Sequence, residues 1–168
     1  ADAPDNHLAE VRLLYRTLWV LYTLILTVFG TINILQYAFL MAQSGQNILA
    51  TSMVNGLALN LGGTPLWAVT WLTLQRSLGE ATEMFSILRS VLLYLLTLIP
   101  AVAGLTAGGV LVSGLARWAL GQYFTLSTFL GEYASSLAWL IPMLTLWIYH
   151  AGHLRRQVRD PALRAKLV

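Results

Sequence analysis

The sequence predicts an all-α integral membrane protein, a four-helix bundle made of two parallel two-helix repeats with both termini in the cytoplasm. Of its 168 residues, 57% are hydrophobic and only 10% are charged, whereas a soluble domain carries about 25% charged residues. Because so few charges cannot cover a water-exposed surface, the bilayer must act as the solvent. Two further observations support this prediction. The apolar residues form long runs, and Arg and Lys cluster at the ends of these runs. The absence of cysteine excludes disulfides and thiolate chemistry.

Four apolar stretches reach the length of about 20 residues that a helix needs to cross the hydrocarbon core. The predicted spans are residues 13–42, 49–74, 87–115 and 133–150. The first is longer than a crossing requires, so we expect it to tilt or to project beyond the bilayer. The segment between the third and fourth spans is aromatic and weakly charged, which predicts a short interfacial helix or loop.

Basic residues indicate the orientation, because cytoplasmic loops are enriched in Arg and Lys. They precede the first span, flank the link between the second and third, and follow the fourth, whereas the first outer loop, residues 43–47, has none. Both termini are therefore predicted to face the cytoplasm, in the inner membrane of a prokaryote. The basic tail, about residues 153–168, is expected to meet anionic lipid headgroups rather than nucleic acid. Its headgroup-facing residues are Arg155, Arg156, Arg159, Arg164 and Lys166.

The two halves of the chain resemble each other. "PLWAVTW" (65–71) corresponds to "PMLTLW" (142–147), and "RTLWVLYTLILTVFG" (16–30) corresponds to "RSVLLYLLTLIPAVAG" (89–104). We interpret residues 1–168 as one membrane domain with repeats at about 10–78 and 83–158. Because each repeat has two helices, both enter from the same side, so the repeats are parallel and not inverted as in many transporters.

Three stretches carry a resemblance to a known family: "RLLYRTLWVLY" (12–22), "TPLWAVTWLTLQR" (64–76) and "ILRSVLLYLL" (87–96). The arrangement is similar to an uncharacterised bacterial family of four-helix membrane domains. In that family Arg and Tyr open the odd spans, and a Pro-x-Trp element lies in the even ones. The second copy here, "IPMLTLW", lacks Pro-x-Trp. The resemblance implies the fold only, because the family is a domain of unknown function.

The first residues, "ADAPDNHLAE", are acidic and lack the basic start and cleavage site of a signal peptide. We expect that an initiator Met was removed before Ala1, and a fragment of a longer chain is the alternative.

Small residues and prolines are the predicted helix-packing positions. A proline inside a helix removes one hydrogen bond and bends the helix, and glycines let a neighbouring helix approach closely. The packing interpretation is favoured over kinks that flank a transport cavity, because no charged group accompanies either proline. These positions are Gly62, Gly63 and Pro65 in the second span, Gly104 and Gly108 in the third, and Pro142 in the fourth.

Polar residues inside the spans are the remaining candidates. Asn33, Gln36, Asn55 and Asn60 are predicted to lie at similar depth in the outer half of the membrane, where their amides fix helix register. A water-filled vestibule is the alternative. His150 is the candidate ligand for a haem or a chlorin, although spans one to three contain no second His. The simpler interpretation is that His150 extends toward the headgroups beside Arg155.

The favoured function is non-enzymatic. No charged residue lies in the central two-thirds of a predicted span, whereas pumps and proton channels usually need one. We therefore expect an accessory or scaffold subunit of a larger membrane complex, or a bundle that assembles with itself. The alternatives are a small oligomeric channel or carrier and a pigment- or haem-binding subunit. Bound lipid is expected, and no metal site is predicted.

Overall fold

The computed structural model describes residues 3–44, 50–77, 83–122 and 125–159. These residues form helices and no strands, in agreement with the predicted all-α class. The five helices of the described chain are α1 (Ala3–Ser44), α2 (Ala50–Ser77), α3 (Glu83–Ala119), α4 (Leu126–Glu132) and α5 (Ala134–Arg159).

The helix positions agree with the predicted apolar runs, but fewer helices than predicted are clearly apolar enough to span. Leu14–Met41 of α1 and Tyr94–Ala119 of α3 are long and apolar enough to cross a membrane. Helix α4 and the part of α5 that ends at Gly152 meet at a bend of 70°, and they form a third candidate span if the pair counts as one. Within the described residues α2 is not in this set, because Asn, Thr and Gly interrupt its apolar sequence.

The chain divides into two compact units, Ala1–Ile87 and Leu88–Val168. In the first unit α1 and α2 pack along each other as an antiparallel pair, since Gly30 lies against Gly56 and Gly63 lies against Thr27. Helix α2 is continuous through Pro65, which is exposed.

In the second unit α3 and α5 are also antiparallel. Gly104 faces Met143, and Gly114 faces Tyr133 near the other end of the contact. The small helix α4 begins at the N-cap Thr125, whose hydroxyl oxygen accepts the Thr128 N–H at 3.2 Å. It occupies the segment where a short helix or loop was predicted, and it brings Phe129 into a cluster with Leu111 and Tyr133.

Candidate functional site

Helices α1 and α2 come into backbone contact at Gly30 and Gly56. A Cβ atom added to Gly30 would lie 2.9 Å from the carbonyl oxygen of Gly56, and one added to Gly56 would lie 2.9 Å from the carbonyl oxygen of Gly30. Distances under 3.0 Å are essentially never seen for real Cβ atoms. The crossing therefore requires glycine on both helices.

A third glycine extends this contact toward the other end of the pair. A Cβ on Gly63 would lie 3.0 Å from both the Leu26 Cβ and the Thr27 nitrogen, which is tighter than most real contacts. Gly62, one residue earlier, faces open space. Of the two adjacent glycines predicted to pack, Gly63 lies against α1 and Gly62 does not.

Asn60 lies at the same crossing and joins the two helices by its amide. Its Nδ2 donates to the Gly56 carbonyl at 3.3 Å, and its Oδ1 accepts the Thr64 hydroxyl at 3.0 Å. The Thr31 hydroxyl of α1 lies 3.4 Å from the same Oδ1. A Cβ on Gly30 would lie 2.5 Å from Nδ2, so the space for this amide depends on the glycine opposite.

Threonines continue the polar contact along α1. Thr23, Thr27 and Thr31 recur every four residues, and each hydroxyl donates to a carbonyl one turn earlier at 2.8–2.9 Å. Thr23 is 0% exposed, and its hydroxyl lies 3.4 Å from that of Thr70 in α2. We call Thr23, Thr27, Thr31, Asn60, Thr64 and Thr70 the polar seam.

The four residues of the predicted outer-half cluster have different surroundings. Asn60 belongs to the polar seam, whereas the Asn33 Nδ2 donates to the Phe29 carbonyl of its own helix at 2.8 Å. Gln36 is half-buried and Asn55 is exposed. Asn60 is the member of this cluster that lies at the Gly30–Gly56 crossing, within hydrogen-bonding distance of Thr31.

The predicted packing glycines of the third span face α5 within the same unit. A Cβ on Gly104 would lie 3.7 Å from the Met143 Cβ, and one on Gly108 would lie 3.8 Å from the Leu140 Cδ1. Both are ordinary van der Waals distances, so this contact is looser than the one at Gly30. Pro142 is buried and lies inside the continuous helix α5.

Gly114 leaves no room for a side chain, because an added Cβ would overlap the Tyr133 ring. Tyr133 is the C-cap residue of α4 and is 6% exposed. Its ring centroid lies 4.9 Å from that of Phe129, which lies 5.8 Å from that of Trp118. These aromatic contacts hold the bend between α4 and α5 against the end of α3.

His150 is buried, with 1% of its surface exposed. Its Nδ1 lies 2.8 Å from the Leu146 carbonyl, and because a carbonyl only accepts, Nδ1 carries the proton. The Tyr149 ring meets the imidazole edge to face at 5.1 Å. In contrast to the expected extension toward the headgroups, the imidazole is buried and lies against the backbone of its own helix.

The basic side chains whose exposure the structure describes lie at the surface. Arg12, Arg16, Arg117 and Arg155 are exposed. Arg156 and Arg159 belong to α5, whereas Arg164 and Lys166 lie outside the described residues, as do positions 45–47 of the predicted outer loop.

In the part of the chain that the structure describes, no three His, Asp or Glu side chains come together to hold a metal. The polar seam contains only hydroxyl and amide groups, which supply hydrogen bonds and not acid–base chemistry at neutral pH.

Sequence reasoning missed Gly30, Gly56, Gly114 and the threonines of the polar seam. The threonines had a signal, because three of them recur every four residues along α1, as one face of a helix requires. The glycines had a weaker sequence signal. A single glycine in an apolar run does not reveal whether another backbone lies opposite.

Comparison with known proteins gives a family and no activity. No curated protein and no solved structure matches the chain. A family model described as a domain of unknown function (DUF5671) matches residues 14–141. This match extends from the start of the apolar part of α1 into the first third of α5, so it includes the polar seam and the contacts of α3 with Tyr133 and Leu140 but not the one with Met143. The chain therefore belongs to the DUF5671 family, a family of domains of unknown function.

Proposed function

We propose that this chain is a non-enzymatic, multi-pass protein of a prokaryotic cytoplasmic membrane. In this proposal α2 also crosses the bilayer, giving four spans in two parallel repeats with both termini inside. The protein acts as an accessory or scaffold subunit of a larger membrane complex, or assembles with itself. The observation that carries the proposal is the backbone contact between Gly30 and Gly56.

That contact supports a rigid structural pair rather than a conducting one. Where backbones touch, no water-filled lumen passes between α1 and α2. The polar atoms that could have lined a lumen bond to one another, as Asn60 does with Thr64, or to their own backbone. Glycine contacts of this kind let two membrane helices approach closely and fix their register.

The opposite face of α1 supports a role in assembly. Leu14, Leu18, Ile25 and Phe29 lie on the side away from the polar seam, and they are 47–55% exposed. Their spacing places them on one helical stripe. A rigid pair that presents such a stripe suits contact with lipid, with another membrane subunit or with a second copy.

Purification in mild detergent tests the proposal. We expect an assembly whose protein mass, measured by light scattering, exceeds the 18.5 kDa of one chain. The protein is expected to be colourless and to give no flux of ions or small solutes in reconstituted vesicles. A colourless single chain would contradict the assembly role, a visible absorption band would favour a pigment- or haem-binding subunit, and flux would favour a channel.

A substitution on the α1 stripe locates the contact. We expect Phe29→Ala to lower the assembly mass, because it removes a large side chain that is 47% exposed. Leu61→Ala is the matched control, since Leu61 is 76% exposed on α2. If both variants assemble as the unmodified chain does, the stripe faces lipid.

A further inference from the structure

An asparagine continues the apolar stripe on the outer face of α1. Ile25 and Phe29 belong to that stripe and are 51% and 47% exposed. Asn33 follows Phe29 by four residues, so it lies on the same face of the helix, and it is half-buried. An amide group thus lies on the face by which the preceding turns offer only large apolar side chains.

Asn33 lies inside the hydrocarbon core when Leu14–Met41 crosses the membrane. The midpoint of this stretch falls between Thr27 and Val28, and Asn33 is five to six residues beyond it, or about 8 Å. The hydrocarbon core extends about 15 Å to each side of its midplane. The acyl chains that surround a lipid-facing residue at this depth offer neither a donor nor an acceptor.

The Asn33 amide has hydrogen-bonding capacity that its own helix does not use. Its Nδ2 donates to the Phe29 carbonyl at 2.8 Å, and this is the bond that the amide makes among the described residues. A side-chain amide has two N–H donors and a carbonyl oxygen, so one N–H and the Oδ1 are left for a further partner. A polar group that lacks a partner in hydrocarbon is costly.

A second copy of the chain supplies that partner at the right depth. Two chains inserted in the same orientation are related by a two-fold axis along the membrane normal, and a residue beside this axis meets its own copy. An amide donates and accepts at once, so two facing amides bond reciprocally, each N–H to the other Oδ1. An unrelated helix would have to carry a matching polar group at this same depth.

We infer that two copies of the chain associate through the α1 stripe, with their Asn33 amides hydrogen-bonded to each other across a two-fold axis along the membrane normal. The inference rests on the proposed self-assembly and names its partner, its face and its polar contact. Ile25 and Phe29 supply the apolar contacts beside the amide. A buried Asn pair of this kind fixes the register and the number of helices in parallel coiled coils.

Disulfide cross-linking in native membranes tests the face, because the chain contains no cysteine. A single introduced cysteine cannot form a disulfide within one chain, so a cross-linked pair identifies two copies. We expect Ile25→Cys to give this pair with a membrane-permeant oxidant. Leu61→Cys is the matched control, because Leu61 is 76% exposed on α2 and lies within about one helical turn of the same depth, since the nearby Gly63 meets Leu26. Equal cross-linking of the two variants, or none in either, would overturn the inference.

Energy transfer between labelled chains, measured in vesicles at decreasing protein density, tests the amide. We expect Asn33→Leu to raise the dissociation constant of the pair about five- to tenfold, because leucine removes the cost of an unpaired amide from the separated chain. The substitution makes α1 more apolar, so it does not impair insertion. Asn55→Leu makes the same change at an exposed amide of α2 and should leave the dissociation constant unchanged. The same constant for Asn33→Leu and the unmodified chain would overturn the amide contact.

These measurements separate this inference from the proposed function. An assembly mass above that of one chain, combined with Ile25→Cys chains that do not cross-link, would overturn the α1 contact and leave the assembly role in place. Loss of that mass in Asn33→Leu without cross-linked Ile25→Cys chains would assign the face to a different subunit. A mass of one chain would overturn both proposals.

Discussion

Gly30 and Gly56 oppose each other across the α1–α2 crossing, and each lies so close that a Cβ on either would come within 2.9 Å of the other's carbonyl oxygen. The relationship is reciprocal, so neither helix can rotate to make room for a side chain without losing the contact. The amide of Asn60 fills the space beside it. The absence of a Cβ at both glycines therefore sets how closely α1 and α2 approach at this crossing.

Gly30→Ala is expected to destabilise the protein by about 1–3 kcal/mol, the usual cost of overpacking a tight contact. The added methyl group would meet the Gly56 carbonyl and the Asn60 amide. Thermal unfolding in detergent measures the change. Gly62→Ala is the control, because its Cβ enters open space, and alanine there should leave stability unchanged or raise it by up to about 1 kcal/mol. Equal melting of the two variants would contradict the backbone contact.

Asn60→Leu should lower stability by about 1–2 kcal/mol, because it removes two hydrogen bonds within α2 and each such bond contributes about 0.5–1.5 kcal/mol. It removes the bonds to Gly56 and Thr64 and leaves the Thr64 hydroxyl without this acceptor. Asn55→Leu, at an exposed position of the same helix, should have little effect. Because the proposed role is structural, neither variant should change flux in reconstituted vesicles. A flux that Asn60→Leu abolishes would support a channel instead.

Gly104 should accept alanine but not leucine. A Cβ there would make an ordinary contact with Met143 at 3.7 Å, whereas the longer leucine side chain would push α3 and α5 apart. We expect a clear fall in melting temperature for Gly104→Leu and little change for Gly104→Ala. Gly108→Leu and Gly108→Ala should repeat this difference, since the Leu140 side chain lies 3.8 Å away. Wild-type melting of both leucine variants would show that the α3–α5 contact is not needed for stability.

His150→Ala should lower the melting temperature without changing the visible spectrum. The imidazole is 1% exposed and bonds to the Leu146 carbonyl, so alanine leaves a cavity. Large-to-small changes in packed cores cost about 2–5 kcal/mol. Spectra of both proteins, recorded at equal concentration, provide the test. An absorption band in the unmodified protein that the substitution removes would identify His150 as a cofactor ligand.

Reporter fusions test the proposed orientation. A reporter inserted in residues 43–47 should be active outside the cytoplasm, and reporters at either terminus should be active inside it, because Arg and Lys cluster on the inner side. A reporter after residue 168 that is active outside, together with an N-terminal reporter that is active inside, would contradict four spans.

The positions of the apolar helices could be predicted because they depend on composition along the chain. The predicted first span, 13–42, agrees with the apolar stretch Leu14–Met41, and the predicted second, 49–74, lies in Ala50–Ser77 apart from its first residue. Length and apolarity are local properties, so one sequence is enough to read them. Helix α2 falls outside the set of clearly apolar spans, because its Asn, Thr and Gly residues lower its apolarity.

The contacts could not be predicted in the same way, because they depend on rotation about the helix axis. Neighbouring residues differ by about 100° around a helix, so Gly62 faces open space while Gly63 faces α1. The sequence shows two adjacent glycines and does not say which one meets the partner. His150 illustrates the same limit, since its position near a helix end indicates the interface but its side chain is buried.

The self-contained bonding of α1 has a consequence for biosynthesis. The hydroxyls of Thr23, Thr27 and Thr31 are satisfied by carbonyls of their own helix, so α1 can enter the membrane before any later segment exists. Helix α2 is less apolar, and its Asn60 and Gly63 meet complementary positions on α1. The ribosome synthesises α1 before α2. In the proposed four-span topology, α2 therefore leaves the translocon by packing against an α1 that is already in the membrane.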